Sequence, residues 1–192
     1  MIAPGVQQVT QADFEAFIAL PENRERTFEF INGEIVEAPS NPFVSVIAGL
    51  ILYAIRRWLE QTGRPGYVTG AGGGYIVDGQ VFAPDVAYIP TLPSSQGFEP
   101  NPPELAVEVI SDPHNNVEQT DLRRKLASYR RAGVVVWVVD CVARTVEAHH
   151  PQAGVQLVRV DGTLSGGDVL PGFSVPVNDI FPEAPASSTS PA

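Results

Sequence analysis

The chain has 192 residues, 44% of them hydrophobic and 18% charged, and a formal net charge of −10. The length and apolar content suit one domain with a full-sized core, and the negative charge argues against tight, sequence-independent binding to a phosphate backbone, which rests on Lys and Arg. The single cysteine, Cys141, excludes an intrachain disulfide and makes a poor zinc site.

No uninterrupted apolar run approaches the roughly 18 residues of a membrane helix, and the N-terminus lacks a basic-then-apolar leader. A cytoplasmic protein without a membrane segment is therefore expected. Residues 1–9 read as loose. Thr10 with Asp13 predicts a helix N-cap ahead of Phe14, Phe17 and Ile18, and Pro21 ends that helix. Residues 27–37 form two alternating runs joined by Asn32-Gly33, the strongest short hairpin signal in the chain. Alternation leaves Glu29 either on the outer face of that hairpin or in a site. Asn41-Pro42 opens the longest helix, with apolar residues over much of its circumference, so burial along most of its length is expected; Gly63 stops it.

The glycine-rich stretch 70–74 lacks the Lys-Ser/Thr and helix of a phosphate loop and reads as a strand connection. Two strands follow, each carrying one acid: Asp85 in the run 82–89, and Glu108 in the run 105–110. A carboxylate in such an apolar run must be paired, hydrogen-bonded or metal-bound, because an isolated buried charge neutralises itself. A helix from about Val117 to Ala132 comes next. Its expected buried stripe is Leu122, Leu126 and Tyr129, with Asp121, Lys125 and Ser128 beside it, which puts Lys125 at the edge of core and solvent. Lys125 is the only lysine among 12 basic residues. A compact, mobile ammonium does what guanidinium does poorly beside a reacting oxygen; the simpler reading pairs it with Asp121 one turn earlier. Gly133 ends the helix, 134–140 reads as a central strand, and shorter strands and turns close the domain. Adjacent His149 and His150 point apart on a strand, His114 reads as a surface residue, and the tail 183–192 reads as disordered.

Taken in order, Phe28-Glu29-Phe30-Ile31-Asn32-Gly33-Glu34, Pro84-Asp85-Val86, Glu108-Val109-Ile110-Ser111, Asp121 to Lys125 to Tyr129, Gly133-Val134, Trp137-Val138-Val139-Asp140 and Leu170-Pro171-Gly172-Phe173 resemble the Uma-two family of predicted endonucleases, part of the PD-(D/E)xK restriction-endonuclease-like superfamily. The resemblance spans residues 10–182 as a single restriction-endonuclease-like domain. It implies an α/β fold, a mixed central sheet flanked by helices with an N-terminal helix and β-hairpin, and metal-dependent hydrolysis of phosphodiester bonds in nucleic acid, DNA before RNA. It further implies Mg²⁺ or Mn²⁺ at Asp85, Glu108 and the Val109 carbonyl, Glu29 as a supporting acid, and Lys125 as the basic residue. In the superfamily's usual layout the lysine stands two positions after the second acid, where this chain has Ile110, so the cation comes from the helix instead. Phe43-Val44-Ser45 replaces a histidine often found at the start of the family's long helix, and the segment before Trp137 is one residue shorter than usual. Ser111 and Tyr129 are further candidates for supporting hydrogen bonds, and a homodimer is compatible with an architecture in which each site cuts one strand. Two rival readings remain: an inactive nuclease-like fold kept as a protein-interaction module, and a structural role in which Asp85 caps a turn and Glu108 pairs with an arginine of the following helix.

Overall fold

The computed structural model describes residues 9–38 and 41–182, so the expectations for residues 1–8 and for the tail 183–192 lie outside it. Three α-helices, α1 (Gln11–Ile18), α2 (Pro42–Thr62) and α3 (Asn116–Arg131), accompany twelve strands among these residues. The main sheet contains β3 (Tyr67–Gly70), β6 (Val86–Ile89), β7 (Leu105–Ile110), β8 (Val135–Asp140), β9 (Thr145–His150) and β10 (Gly154–Arg159), in the order β10-β9-β8-β7-β6-β3. Only β7 and β8 run parallel, and α3 is the crossover between them. A second sheet, in the order β2-β1-β5-β4, is made by β1 (Phe28–Ile31), β2 (Glu34–Glu37), β4 (Tyr75–Val77) and β5 (Gln80–Phe82). A small ribbon of β11 (Thr163–Ser165) and β12 (Ser174–Pro176) stands apart. The mixed central sheet with flanking helices is the architecture expected from the sequence.

Local chemistry sets the element ends. Asp13 N–H donates to Thr10 Oγ1 at 3.2 Å while Thr10 N–H donates to Asp13 Oδ2 at 2.9 Å, closing the capping box of α1. Asn32 and Gly33 both take positive φ (51° and 85°), the left-handed pair that a two-residue hairpin requires. The Asn41 side chain accepts the Phe43 N–H at 3.0 Å, Pro42 fills the first turn of α2, and Gly63 ends it at φ 64°.

The main sheet is covered differently on its two faces. On one, α2 packs Ile47, Ile51, Ile55, Trp58 and Leu59 against Val86, Leu105, Val107, Val135 and Trp137. On the other, Tyr129 of α3 and Ile31, Val77 and Phe82 of the second sheet pack against Ala87, Ala106, Val136 and Val138. The second sheet is covered again on its far side, where Phe28, Phe30 and Val81 meet Phe14 of α1. All four residues of β1 are therefore buried.

Two expectations about the helices need correction. α2 is not buried along most of its length: Phe43, Val46 and Tyr53 are 48%, 49% and 61% exposed. Its inner stripe satisfies the sheet, and a second apolar stripe turns outward. By length and composition α2 would also suffice to cross a membrane. In α3, Leu122 and Leu126 are only partly buried, whereas Lys125, Ser128 and Tyr129 are buried. Lys125 is 5% exposed, so it lies inside the molecule rather than at its edge.

Candidate active site

Four charged side chains converge on one space because four elements, β1, the start of β6, β7 and α3, deliver them to the α3 side of the main sheet. In the β6–β7 register Val86 lies opposite Val107, so one step further Asp85 lies opposite Glu108. Strand alternation turns both acids away from the α2 core, which takes Val86 and Val107. Glu29 enters from β1. With Phe28 and Phe30 turned toward α1, alternation points Glu29 and Ile31 inward, because this strand has no wet face.

Lys125 comes down from α3 and donates to Glu29 Oε1 at 2.8 Å and to Glu108 Oε2 at 2.6 Å. Tyr129, one turn further along the same stripe, donates its hydroxyl to Glu108 Oε1 at 2.9 Å. Glu29 Oε1 also accepts the Ala83 N–H at 2.7 Å, and Asp85 Oδ2 accepts the Val109 N–H at 2.8 Å. Glu29, Asp85, Glu108, Val109 and Lys125 line one cavity of about 160 Å³. Its lining also includes Ser111, Glu118, Asp121, the α2 cap Asn41 and Val44 of α2.

These contacts dispose of two pairings expected from the sequence. Asp121 turns to Arg124, at 3.2 Å, rather than to Lys125. Glu108 pairs with Lys125 and with none of the α3 arginines. Nor does Asp85 merely cap a turn after Pro84, since it tethers the neighbouring strand at Val109. His114 is exposed and lines none of this space. The supporting groups with no signal in the sequence are backbone ones, the N–H groups of Ala83 and Val109. A side-chain contact, Gln80 Nε2 donating to Ser128 Oγ at 2.6 Å, also ties α3 to the second sheet. A backbone donor has no residue type to announce it.

The electrostatics are unbalanced. Three carboxylates (Glu29, Asp85, Glu108) face one ammonium, a formal deficit of two positive charges. Burial pushes Glu108 up from 4.5 to about 7, against the pull of Lys125 and with the help of Glu29 and Asp85. Asp85 is also raised, by burial first, with the Val109 N–H and Lys125 opposing. Burial works against the charge on Lys125, but Glu108 and Glu29 outweigh it and hold the ammonium above its ordinary value. Burial and the adjacent Glu108 keep the Tyr129 phenol protonated well beyond its usual range. The Cys141 thiol, raised to about 11 by burial and then by Asp140 and Asp85, is no ready thiolate.

The residues can be tested for their fit to a divalent ion. Among the described residues, no group of three or more His, Cys, Asp or Glu side chains stands arranged as a ligand set. Lys125 bonds two of the three carboxylates here. Mg²⁺, however, is commonly held by one or two carboxylates with the remainder from water and phosphate oxygens. Asp85 and Glu108 on adjacent strands, all-oxygen donors short of two positive charges, suit that hard cation.

The fold has a counterpart. The crystal structure of a protein described as a putative nuclease of DUF820, from Anabaena variabilis, is similar to this chain with a TM-score of 0.70 at 18% sequence identity, covering 87% of this chain and 96% of that one. The chain thus has a nuclease-like α/β fold. No curated protein matches it. The model of the Uma2 family, described as "Putative restriction endonuclease", matches residues 14–178, and the chain belongs to that family. The resemblance noted in the sequence is borne out, and nuclease function is what the family assignment supports.

Proposed function

We propose that this chain is a metal-dependent endonuclease that hydrolyses phosphodiester bonds, DNA before RNA, at the cavity between Glu29, Asp85, Glu108 and Lys125. The observation that carries this reading is the charge deficit itself: three buried or nearly buried carboxylates share one ammonium. Structural ion pairs seldom leave such a deficit, because each unpaired buried anion is costly. A divalent cation offsets it, and its bound waters leave room for the oxygens of a phosphate diester.

Asp85, Glu108 and the Val109 carbonyl would hold Mg²⁺ or Mn²⁺, which when bound supplies positive charge to polarise the scissile phosphate and acidify a water. Lys125 has the other task. Held as an ammonium by Glu29 and Glu108, it orients the attacking water and offsets charge building on the phosphate oxygens. Glu29 positions Lys125, and the Ala83 N–H fixes Glu29. Tyr129, locked as a neutral phenol, keeps one Glu108 oxygen oriented. The basic residues Arg123, Arg124, Arg130 and Arg131 of α3 form the chain's main cationic surface and suit contact with the flanking backbone.

Supercoiled plasmid and single-stranded DNA incubated with Mg²⁺ or Mn²⁺ test this reading. Wild-type chain nicks DNA only with metal, whereas D85A and K125A leave it intact. D85N, which keeps the Val109 contact, guards against simple unfolding. Equal cleavage by every variant would assign the activity to a contaminant and overturn the proposal.

A further inference from the structure

We infer that the outer face of α2 is a self-association surface and that it docks the same helix of a second copy of this chain, antiparallel, about a two-fold axis level with Ala48. Phe43, Val46, Leu50, Tyr53, Arg57 and Glu60 recur at alternating steps of three and four residues, the seam of a two-helix packing. The seam lies away from the inner stripe that meets the sheet. Phe43, Val46 and Tyr53 are about half exposed or more, and Leu50 is half-buried. Surface-facing seams of this kind are unusual on a helix whose other side already fills a core.

The choice of a second copy rests on the seam's complementarity to itself. With the axis at position 48, Phe43 meets the partner helix at the level of Tyr53, and Val46 meets it at the level of Leu50. Every apolar member then faces an apolar member, the self-complementary pattern a two-fold interface requires. Gly49, on the flank of the seam, has nothing within 4 Å of where a Cβ would stand, so the helices can approach closely there.

Charge agrees with the same register. Arg57 lies nine residues past the axis and Asn41 seven residues before it, about 13.5 Å and about 10.5 Å along the helix. Arg57 of each copy therefore overhangs the start of the other copy's α2. Glu118 lines the cavity there beside Asn41, as does Glu37, which already pairs with Arg26. Arg57 makes no ion pair among the described residues, so it is available to that acidic end. The arrangement gives each acidic cavity a cation at its approach from the neighbouring copy. Antiparallel helices also oppose their dipoles favourably.

Sedimentation velocity of the full chain over a broad concentration range tests the inference. A reversible species of two 20.6 kDa chains is expected. V46E and Y53K, both at exposed positions, should weaken it about 100-fold or more while leaving the circular dichroism spectrum and the metal-dependent activity of each chain in place. Register is tested separately: F43E chains and Y53K chains, each monomeric alone, should pair when mixed, because the two altered positions meet. A chain that stays monomeric at every concentration overturns the inference. So does a dimer indifferent to both V46E and Y53K, or a mixture that fails to pair. A monomer that co-sediments with anionic vesicles through this face would assign it to lipid instead and also refute the dimer.

Discussion

α2 and α3 lie against opposite faces of one sheet, and hydropathy alone would rank them wrongly by what they bury. α2 is the apolar helix, yet it leaves Phe43, Val46 and Tyr53 in solvent. α3 is polar along most of its length, yet it buries Lys125, Ser128 and Tyr129. The difference lies in what stands opposite. α2 meets a hydrocarbon face that needs one stripe and no more. α3 meets a face carrying Glu108 and Asp85, where only a group able to satisfy an anion can be buried without a large penalty. Burial follows from the partner.

The contrast can be broken first at Lys125. K125M removes the one cation from three carboxylates and, metal-free, should cost about 3–5 kcal/mol in chemical denaturation, as expected for orphaning a buried ion pair. If K125M is instead as stable as the wild type, the cluster is well hydrated and the contrast fails. On the other helix, I55A should cost about 2–5 kcal/mol by cavity formation alone, with no dependence on metal. Ile55 is fully buried. Added Mg²⁺ should recover part of the first loss through the remaining acids and none of the second.

A smaller effect separates the two faces by pH. Glu108 in the folded chain is raised from 4.5 to about 7, so between those values the folded state holds more protons than the unfolded state. Stability of the metal-free protein should therefore fall as pH rises across that window. E108Q should flatten the slope, and so should saturating Mg²⁺. Thermal melts from acid to neutral pH read this out, and a rise in stability over the window would contradict it. Lys125, raised above its usual value, keeps its contribution below pH 10.5 and loses it only in stronger alkali.

The smallest effect is expected at Arg124, on the same helix as Lys125 but facing water. It pairs with exposed Glu34 at 2.8 Å and with half-buried Asp121. R124A should barely move the denaturation midpoint, because exposed ion pairs are screened and entropically costly. A loss comparable to K125M would show that position on the helix, rather than burial, sets the value of a cation.

Much of this was legible in the sequence for reasons that are local. The Thr10 cap, the Asn32-Gly33 turn and the Asn41-Pro42 start are each fixed by a few neighbouring residues. Asp85 and Glu108 stood out because acids are anomalous in apolar strands, and Lys125 because it stood alone among arginines. What escaped reading depends on the third dimension. Glu29 could not be assigned a face because alternation presumes one wet side, and β1 is covered on both by α1 and by the main sheet. The partners of Asp121 and Lys125 were misjudged because i,i+4 spacing finds neighbours along a helix but not across a sheet. The outer stripe of α2 was visible as apolar residues, but whether a sheet or solvent faced it was not.

The most direct test of the metal site is calorimetric titration of Mn²⁺ into the folded, metal-free chain and into D85N, with folding of both confirmed by circular dichroism. Binding of Mn²⁺ at the wild-type site, weakened at least about tenfold in D85N, is the expected result. No binding to the wild type, or equal binding to both proteins, would contradict a metal held by Asp85 and Glu108 and leave the charged cluster as a structural one.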